Sequence, residues 1–187
     1  MENIYQPPAA ALLEEEQQEG FFVTSIPKMM IMFVGTLGTY QVYWGYKQWS
    51  SQRGSMPKRI WPFFRGLFSI FFIHALSRRM NSLLDARKIV TRRYNDAPFW
   101  FVIIAVTGTL LGRSTIPWEI PKAMAIGFDL FGLLSLIPLI GLQRKANQAS
   151  GDSTGARNSR LSFSNYLCLA FGLMFWVVLV WGYVTFL

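Results

Sequence analysis

The sequence predicts an all-α fold: a helical integral membrane protein with four transmembrane helices plus an interfacial or re-entrant amphipathic helical segment. Three observations lead there. Of 187 residues, 52% are apolar and 16% aromatic while only 15% are charged, a balance outside ordinary soluble composition. Apolar runs near the length of a bilayer's hydrocarbon core recur along the chain. The 18 lysines and arginines outnumber the 10 acids and flank the apolar runs rather than lining a soluble face, as contact with anionic headgroups requires.

Residues 1–20 carry Glu2, Glu14, Glu15, Glu16 and Glu19 and no lysine or arginine. That is the reverse of a signal peptide's positive start, so no cleaved targeting segment is expected. With Pro7-Pro8 and its Glu-Gln cluster, the stretch reads as an acidic, disordered or partly helical tail, and residues 21–187 as one membrane domain. Ser25, Ile26 and Pro27 form a helix start, an N-cap hydroxyl followed by proline in the first turn. The first span then covers about residues 28–46, roughly 28 Å of helix. Gly35, Thr36, Gly38 and Thr39 cluster inside it, a pattern suited to close helix approach or a kink. A break there would instead make a re-entrant hairpin and leave the N-terminus cytoplasmic. Tyr40, Tyr43, Trp44, Tyr46, Lys47 and Trp49 read as an interfacial motif, rings at headgroup level and a lysine extending into water.

The run 60–76 is interrupted by Arg65 and His74 and has basic clusters at both ends. Crossing would place one cluster on the trans side, against the positive-inside bias, so interfacial helices are expected over about 60–93. His74, Arg78, Asn81, Asp85, Lys88 and Arg92 recur at three- and four-residue spacing, and Leu76, Met80, Leu83 and Leu84 fall on another face. Further spans are expected at about 98–112, 123–142 and 163–185, with a turn holding Pro117, Trp118 and Pro121 and a polar, flexible loop over 143–160. Both termini then lie outside, and every lysine and arginine except Lys28, Arg113 and Lys122 lies on the cytoplasmic side.

The run Thr36-Leu37-Gly38, Tyr40, Tyr43-Trp44, Tyr46-Lys47, Trp49, with a weaker echo in Gln143-Arg144 and Asn147, resembles an uncharacterised family of small bacterial integral membrane proteins. A bulky residue usual at Gly45 and Asn usual at Gln48 are the departures. The resemblance covers most of the chain from Phe21 onward. It implies a membrane protein of unknown function and carries no catalytic residue across; the expected location is the bacterial inner, cytoplasmic membrane, crossed several times.

Residues able to carry chemistry are few. Asp129 is an ionisable group inside a span, which is costly unless paired, protonated or facing water; an ion pair with Lys28 at similar depth is the structural alternative to a transport role. Arg65, Arg78, Arg79, Arg87, Lys88, Arg92 and Arg93 are expected to meet lipid headgroups or a partner. His74 stands alone and Cys168 is the single cysteine, so no metal site is expected. Nucleophile-elbow, Walker and dinucleotide motifs are absent, and no nucleic-acid module accompanies the basic clusters.

No catalytic residue or cofactor is therefore predicted. The expectation is an accessory or scaffold subunit whose basic cytoplasmic belt contacts anionic lipid, with a membrane protein or a second copy as possible partner. The alternatives are an oligomeric channel or carrier using Asp129, and an interfacial lipid-modifying enzyme using His74 and Asp85.

Overall fold

The computed structural model describes residues 20–89, 94–114 and 121–186. Among them all regular structure is helical, and no strand occurs. Helix α1, Ile26–Gly35, starts as its sequence predicts: the Ser25 hydroxyl accepts from the Lys28 N–H at 3.4 Å, and Pro27 sits in the first turn. It ends in a Schellman turn. Gly38 N donates to Phe33 O at 2.8 Å and Leu37 N to Val34 O at 3.1 Å, with Leu37 and Gly38 at φ 49° and 80°, the left-handed region that Gly38 enters without strain. The Thr36 hydroxyl ties α1 to the start of the next helix, donating to Met32 O at 2.8 Å and accepting from Tyr40 N at 3.0 Å.

Helix α2, Tyr40–Ser51, runs back beside α1, so Phe22 and Gln48 meet directly. The expected first span is thus corrected: residues 28–46 are not one helix, because the turn at 36–39 folds the segment into a hairpin with both ends together.

A second reversal comes next. The segments α3, Pro62–Leu67, and α4, Ser69–Ala86, meet at Phe68, whose φ of −97° and ψ of 42° break the helix. Gly45 and Gly66 let α3 lie against α2: a Cβ on Gly45 would stand 2.9 Å from Gly66 Cα. Ile70 shares a cavity with Leu37 and Val42 near the first hairpin's tip, while Arg79 reaches Gln52 and Ser55 at its open end. The interfacial or re-entrant helices expected over about 60–93 take the form of two helices that meet at Phe68, pack onto α2 and end at Ala86. Arg92 and Arg93 lie outside the described residues.

Helix α5, Ala97–Ser114, leads away from this end, and α6, Lys122–Phe131, a 3₁₀ turn Gly132–Ser135 and α7, Leu136–Ala149, lead back. The 3₁₀ turn precedes Pro138, whose ring excludes the carbonyl of Leu134 from an α-helical bond. Helix α8, Phe163–Phe186, packs on α1 where Gly172 meets the backbone of Gly35 and Thr36; Trp176 Nε1 donates to Val34 O at 3.0 Å. Its remaining faces expose Phe163, Phe171, Val177, Trp181 and Val184.

Among the described residues two helical stretches, Met124–Ala149 and Phe163–Thr185, are long and apolar enough to cross a membrane, in place of the four transmembrane helices expected; Ile26–Gly35 and Ala97–Leu111 are shorter apolar helices. The core joins Met29, Phe33, Trp44, Ile73, Leu76, Met80, Phe101 and Leu142 from the packed helices.

Candidate functional site

The basic end of the bundle is organised around residues 20–25, a non-helical strap. A buried strap without a sheet partner must satisfy its backbone groups elsewhere. Side chains do this here. Gln52 Nε2 donates to Gly20 O at 3.0 Å, and Phe21 N donates to Ser150 Oγ at 2.7 Å. Gln48 brackets Phe22, accepting from its N and donating to its O, both at 3.1 Å. Asn158 Nδ2 donates to Val23 O at 2.9 Å. Asn147 brackets Thr24, accepting from its N at 3.3 Å and donating to its O at 2.9 Å.

Gln143 is the hub of this clamp. Its Oε1 accepts from Trp44 Nε1 at 2.6 Å and Gln48 Nε2 at 3.0 Å, while its Nε2 donates to Phe22 O at 3.0 Å and Asn147 Oδ1 at 2.7 Å. Gln48, Gln143 and Asn147 have no exposed surface. The expected flexible loop over 143–160 is therefore corrected. Its first part is the buried end of α7, and Asp152 orders the turn beyond by accepting from the backbone N–H groups of Gly155, Ala156 and Arg157 at 2.9–3.1 Å. Those bonds hold the Asp152 carboxyl down at about 2, because they favour its ionised form.

The clamp does have a signal in the sequence, one that hydropathy patterning passes over. Trp44, Gln48 and Gln52 on α2 and just beyond it, and Gln143, Asn147 and Ser150 on α7 and just beyond it, fall at helical spacing on facing stripes. Lys145 is missed in the same way. It is fully buried, and its ammonium donates to Asn81 Oδ1 at 2.8 Å and Asn95 Oδ1 at 2.6 Å, bonds that offset its desolvation.

The structure places Lys28 at this same end, nearly buried, donating to Asn158 Oδ1 at 2.6 Å and Arg160 O at 2.8 Å. Its ammonium is thus committed to the turn after α7. Asp129 belongs to α6, and its side chain lies outside the described residues. The interfacial reading of the aromatic motif is corrected in part: Tyr40, Trp44 and Trp49 are core residues, at 5%, 1% and 2% exposure, whereas Tyr43 and Tyr46 are exposed. Lys47 lies over the Phe22 ring, 5.5 Å from its centroid. Trp44 is buried against Gln143 of α7 and Trp49 against Phe72 of α4, and Tyr40 shares a recess with Cys168 and Phe171 of α8.

The basic residues converge. Arg65 lies over Trp49 at 4.3 Å and beside Phe72 at 5.1 Å. Arg79 Nε donates to Gln52 Oε1 at 3.3 Å and its Nη2 to Ser55 Oγ at 2.9 Å. With Arg78 they border an open recess of about 370 Å³. Arg87 and Lys88 are exposed just past α4, as are His74 and Asp85 on it. Among the described residues, the single ion pair is Arg157 with Asp152 at 3.4 Å, and no three His, Cys, Asp or Glu side chains group as metal ligands.

At the opposite end of the first hairpin, a cavity of about 740 Å³ is bordered by Leu37, Gly38 and Thr39, by Ile70 beside the Phe68 break, and by Gly132 and Ser135 of the 3₁₀ turn. Three interruptions of helical structure thus meet at one cavity. Thr109 and Ser135 line it too, each donating its hydroxyl proton to nearby backbone, to Ala105 O at 2.8 Å and Gly132 O at 2.7 Å. Compared with protein-family models, curated proteins and solved structures, the chain matches none.

Proposed function

We propose that the protein is a membrane-embedded scaffold or accessory subunit of the bacterial inner membrane, held with its basic end in the cytoplasmic leaflet. In this reading α5, the α6–α7 pair and α8 cross the bilayer. The α1–α2 and α3–α4 hairpins dip in from the cytoplasmic side and return. The observation that carries it is charge distribution: Lys28, Arg79, Lys145 and Arg157 are held at or near the strap end, with Arg113 and Lys122 at the far ends of α5 and α6, whereas α8 exposes apolar rings and branched chains on most of its surface. Such a distribution suits lipid on the flanks and anionic headgroups at one end. The tip of the first hairpin, Leu37 to Thr39, lines a cavity, the condition under which non-helical backbone is tolerated at membrane depth. Trp44, Gln143 and Asn147, residues of the motif and its echo, share one buried network, and kinship with the uncharacterised family is part of the proposal.

Cysteine accessibility tests the topology. In a Cys168→Ser background, Gln18→Cys, Gly54→Cys and Ser153→Cys are expected to resist an impermeant reagent in intact cells and to react in inverted vesicles, with Thr185→Cys doing the reverse. Labelling of Gly54→Cys and Ser153→Cys from opposite sides would overturn the two-hairpin arrangement.

The convergence of three helix interruptions on one cavity favours a second reading, an oligomeric channel or carrier, because discontinuous helices form substrate and ion sites near the bilayer midplane. Ion and pH-gradient flux in liposomes tests it; flux at background level would discard it. Asp129, one turn before the Gly132 break, is the residue to neutralise.

A further inference from the structure

We propose that the recess bordered by Arg65, Arg78 and Arg79 is a specific site for the phosphate of an anionic lipid headgroup. The inference deepens the reading of a basic end set in the cytoplasmic leaflet and rests on it.

Two of the guanidinium groups are already positioned. Arg65 is stacked on Trp49 and flanked by Phe72, and Arg79 is tethered by Gln52 and Ser55. Little side-chain freedom remains to be lost when an anion arrives. The charge is uncompensated: among the described residues none of the three has a carboxylate within ion-pair distance. Like charges around one recess repel, so an anion between them is stabilised by all three. Guanidinium forks match phosphate oxygens two at a time.

The walls indicate what the phosphate is attached to. Trp49, Met56 and Ala75 give the recess an apolar side, and Ser82 adds a hydroxyl at its rim. A volume of about 370 Å³ accommodates a phosphate and its glycerol, leaving the acyl chains outside. Next to it, across Arg65, Trp61 and Phe64 border a second recess and are 66% and 50% exposed. Phe63, Leu67 and Phe71 extend that apolar surface. Headgroup and chains therefore find a charged recess and an apolar surface side by side, the arrangement of an interfacial lipid site.

The test uses the purified full chain in zwitterionic micelles, titrated with phosphatidic acid or phosphatidylglycerol and followed by tryptophan fluorescence. Anionic lipid is expected to bind saturably, and Arg65→Gln and Arg79→Gln each to weaken binding about tenfold. Arg53→Gln and Lys58→Gln should leave it unchanged. Arg78→Gln, at an exposed position, keeps the test open should Arg65→Gln unfold, which thermal melting in the same micelles reports. Inorganic phosphate is the soluble arm: competition by it as effective as by lipid would overturn the lipid assignment in favour of free phosphate. A triple Arg65→Gln, Arg78→Gln, Arg79→Gln protein that binds like the parent would remove the site while leaving the membrane reading intact. If the parent chain does not distinguish anionic lipid from phosphatidylcholine, the membrane-leaflet reading falls with it.

Discussion

Replacing Gln143 by leucine removes the amide on which the clamp converges and leaves an apolar side chain one atom shorter. Trp44 Nε1 has its bond to Gln143 Oε1 at 2.6 Å, and its loss orphans a donor on a residue that is 1% exposed. An unsatisfied buried N–H costs about 1–3 kcal/mol. Three more bonds disappear, those to Gln48, Phe22 and Asn147. Their partners keep other bonds: Phe22 O still receives Gln48 Nε2, and Asn147 Oδ1 still receives Thr24 N. Each is therefore worth only about 0.5–1.5 kcal/mol. The sum is about 2.5–7.5 kcal/mol, which for a chain of this size lowers the melting temperature by on the order of 10 °C. Thermal unfolding of the full chain in micelles measures it, and limited chymotrypsin digestion at Phe21 and Phe22 reports whether the strap is released. Adding Trp44→Phe removes the orphaned donor, so the double variant should lose less than the two single losses added together. A Gln143→Leu protein that melts within about 2 °C of the parent and keeps its strap protected would refute the hub role.

Gly66→Ala should destabilise by about 2 kcal/mol or more, because a Cβ there would lie 2.6 Å from Val42 O and 2.5 Å from Tyr46 N; Gly54→Ala, with open space around it, serves as the neutral control in the same melting assay. Asp152 predicts a pH dependence: its carboxyl sits at about 2 in the folded chain against an ordinary 3.8, so its contribution is full above the ordinary value and is lost as pH falls through about 2. Denaturation from pH 5 down to about pH 2 should therefore cost the parent more stability than Asp152→Asn, and equal losses would contradict the turn's dependence on this carboxylate.

Much of the helical layout is legible locally. Ser25 with Pro27 announces α1, and the long apolar run after Ser162 announces α8, because capping chemistry and sustained hydropathy are properties of neighbouring residues. The Gly35–Thr39 cluster fits a kink and a full break alike, and which applies depends on what the two halves touch. The interfacial assignment of Tyr40, Trp44 and Trp49 fails for a related reason. An aromatic ring suits a headgroup layer or a protein core equally well, and only the packing of α2 against α4 and α7 separates the two.

The amide clamp is the hardest feature to anticipate. Gln48 and Gln52 look like ordinary polar residues near a basic loop, and Gln143 and Asn147 like the start of a linker. Their partners lie far away in sequence, with Asn147 and Asn158 holding Thr24 and Val23 across more than half the chain. Composition and the order of apolar runs determined the helical class of the described residues and the placing of lysines and arginines beside the apolar runs, since these depend only on how often and in what order residues occur. Tertiary structure alone decided that the first apolar run turns back on itself, that the strap over residues 20–25 is held by side-chain amides, and that Arg65, Arg78 and Arg79 share one recess. Each of these is a relation between segments that meet only once the chain has folded.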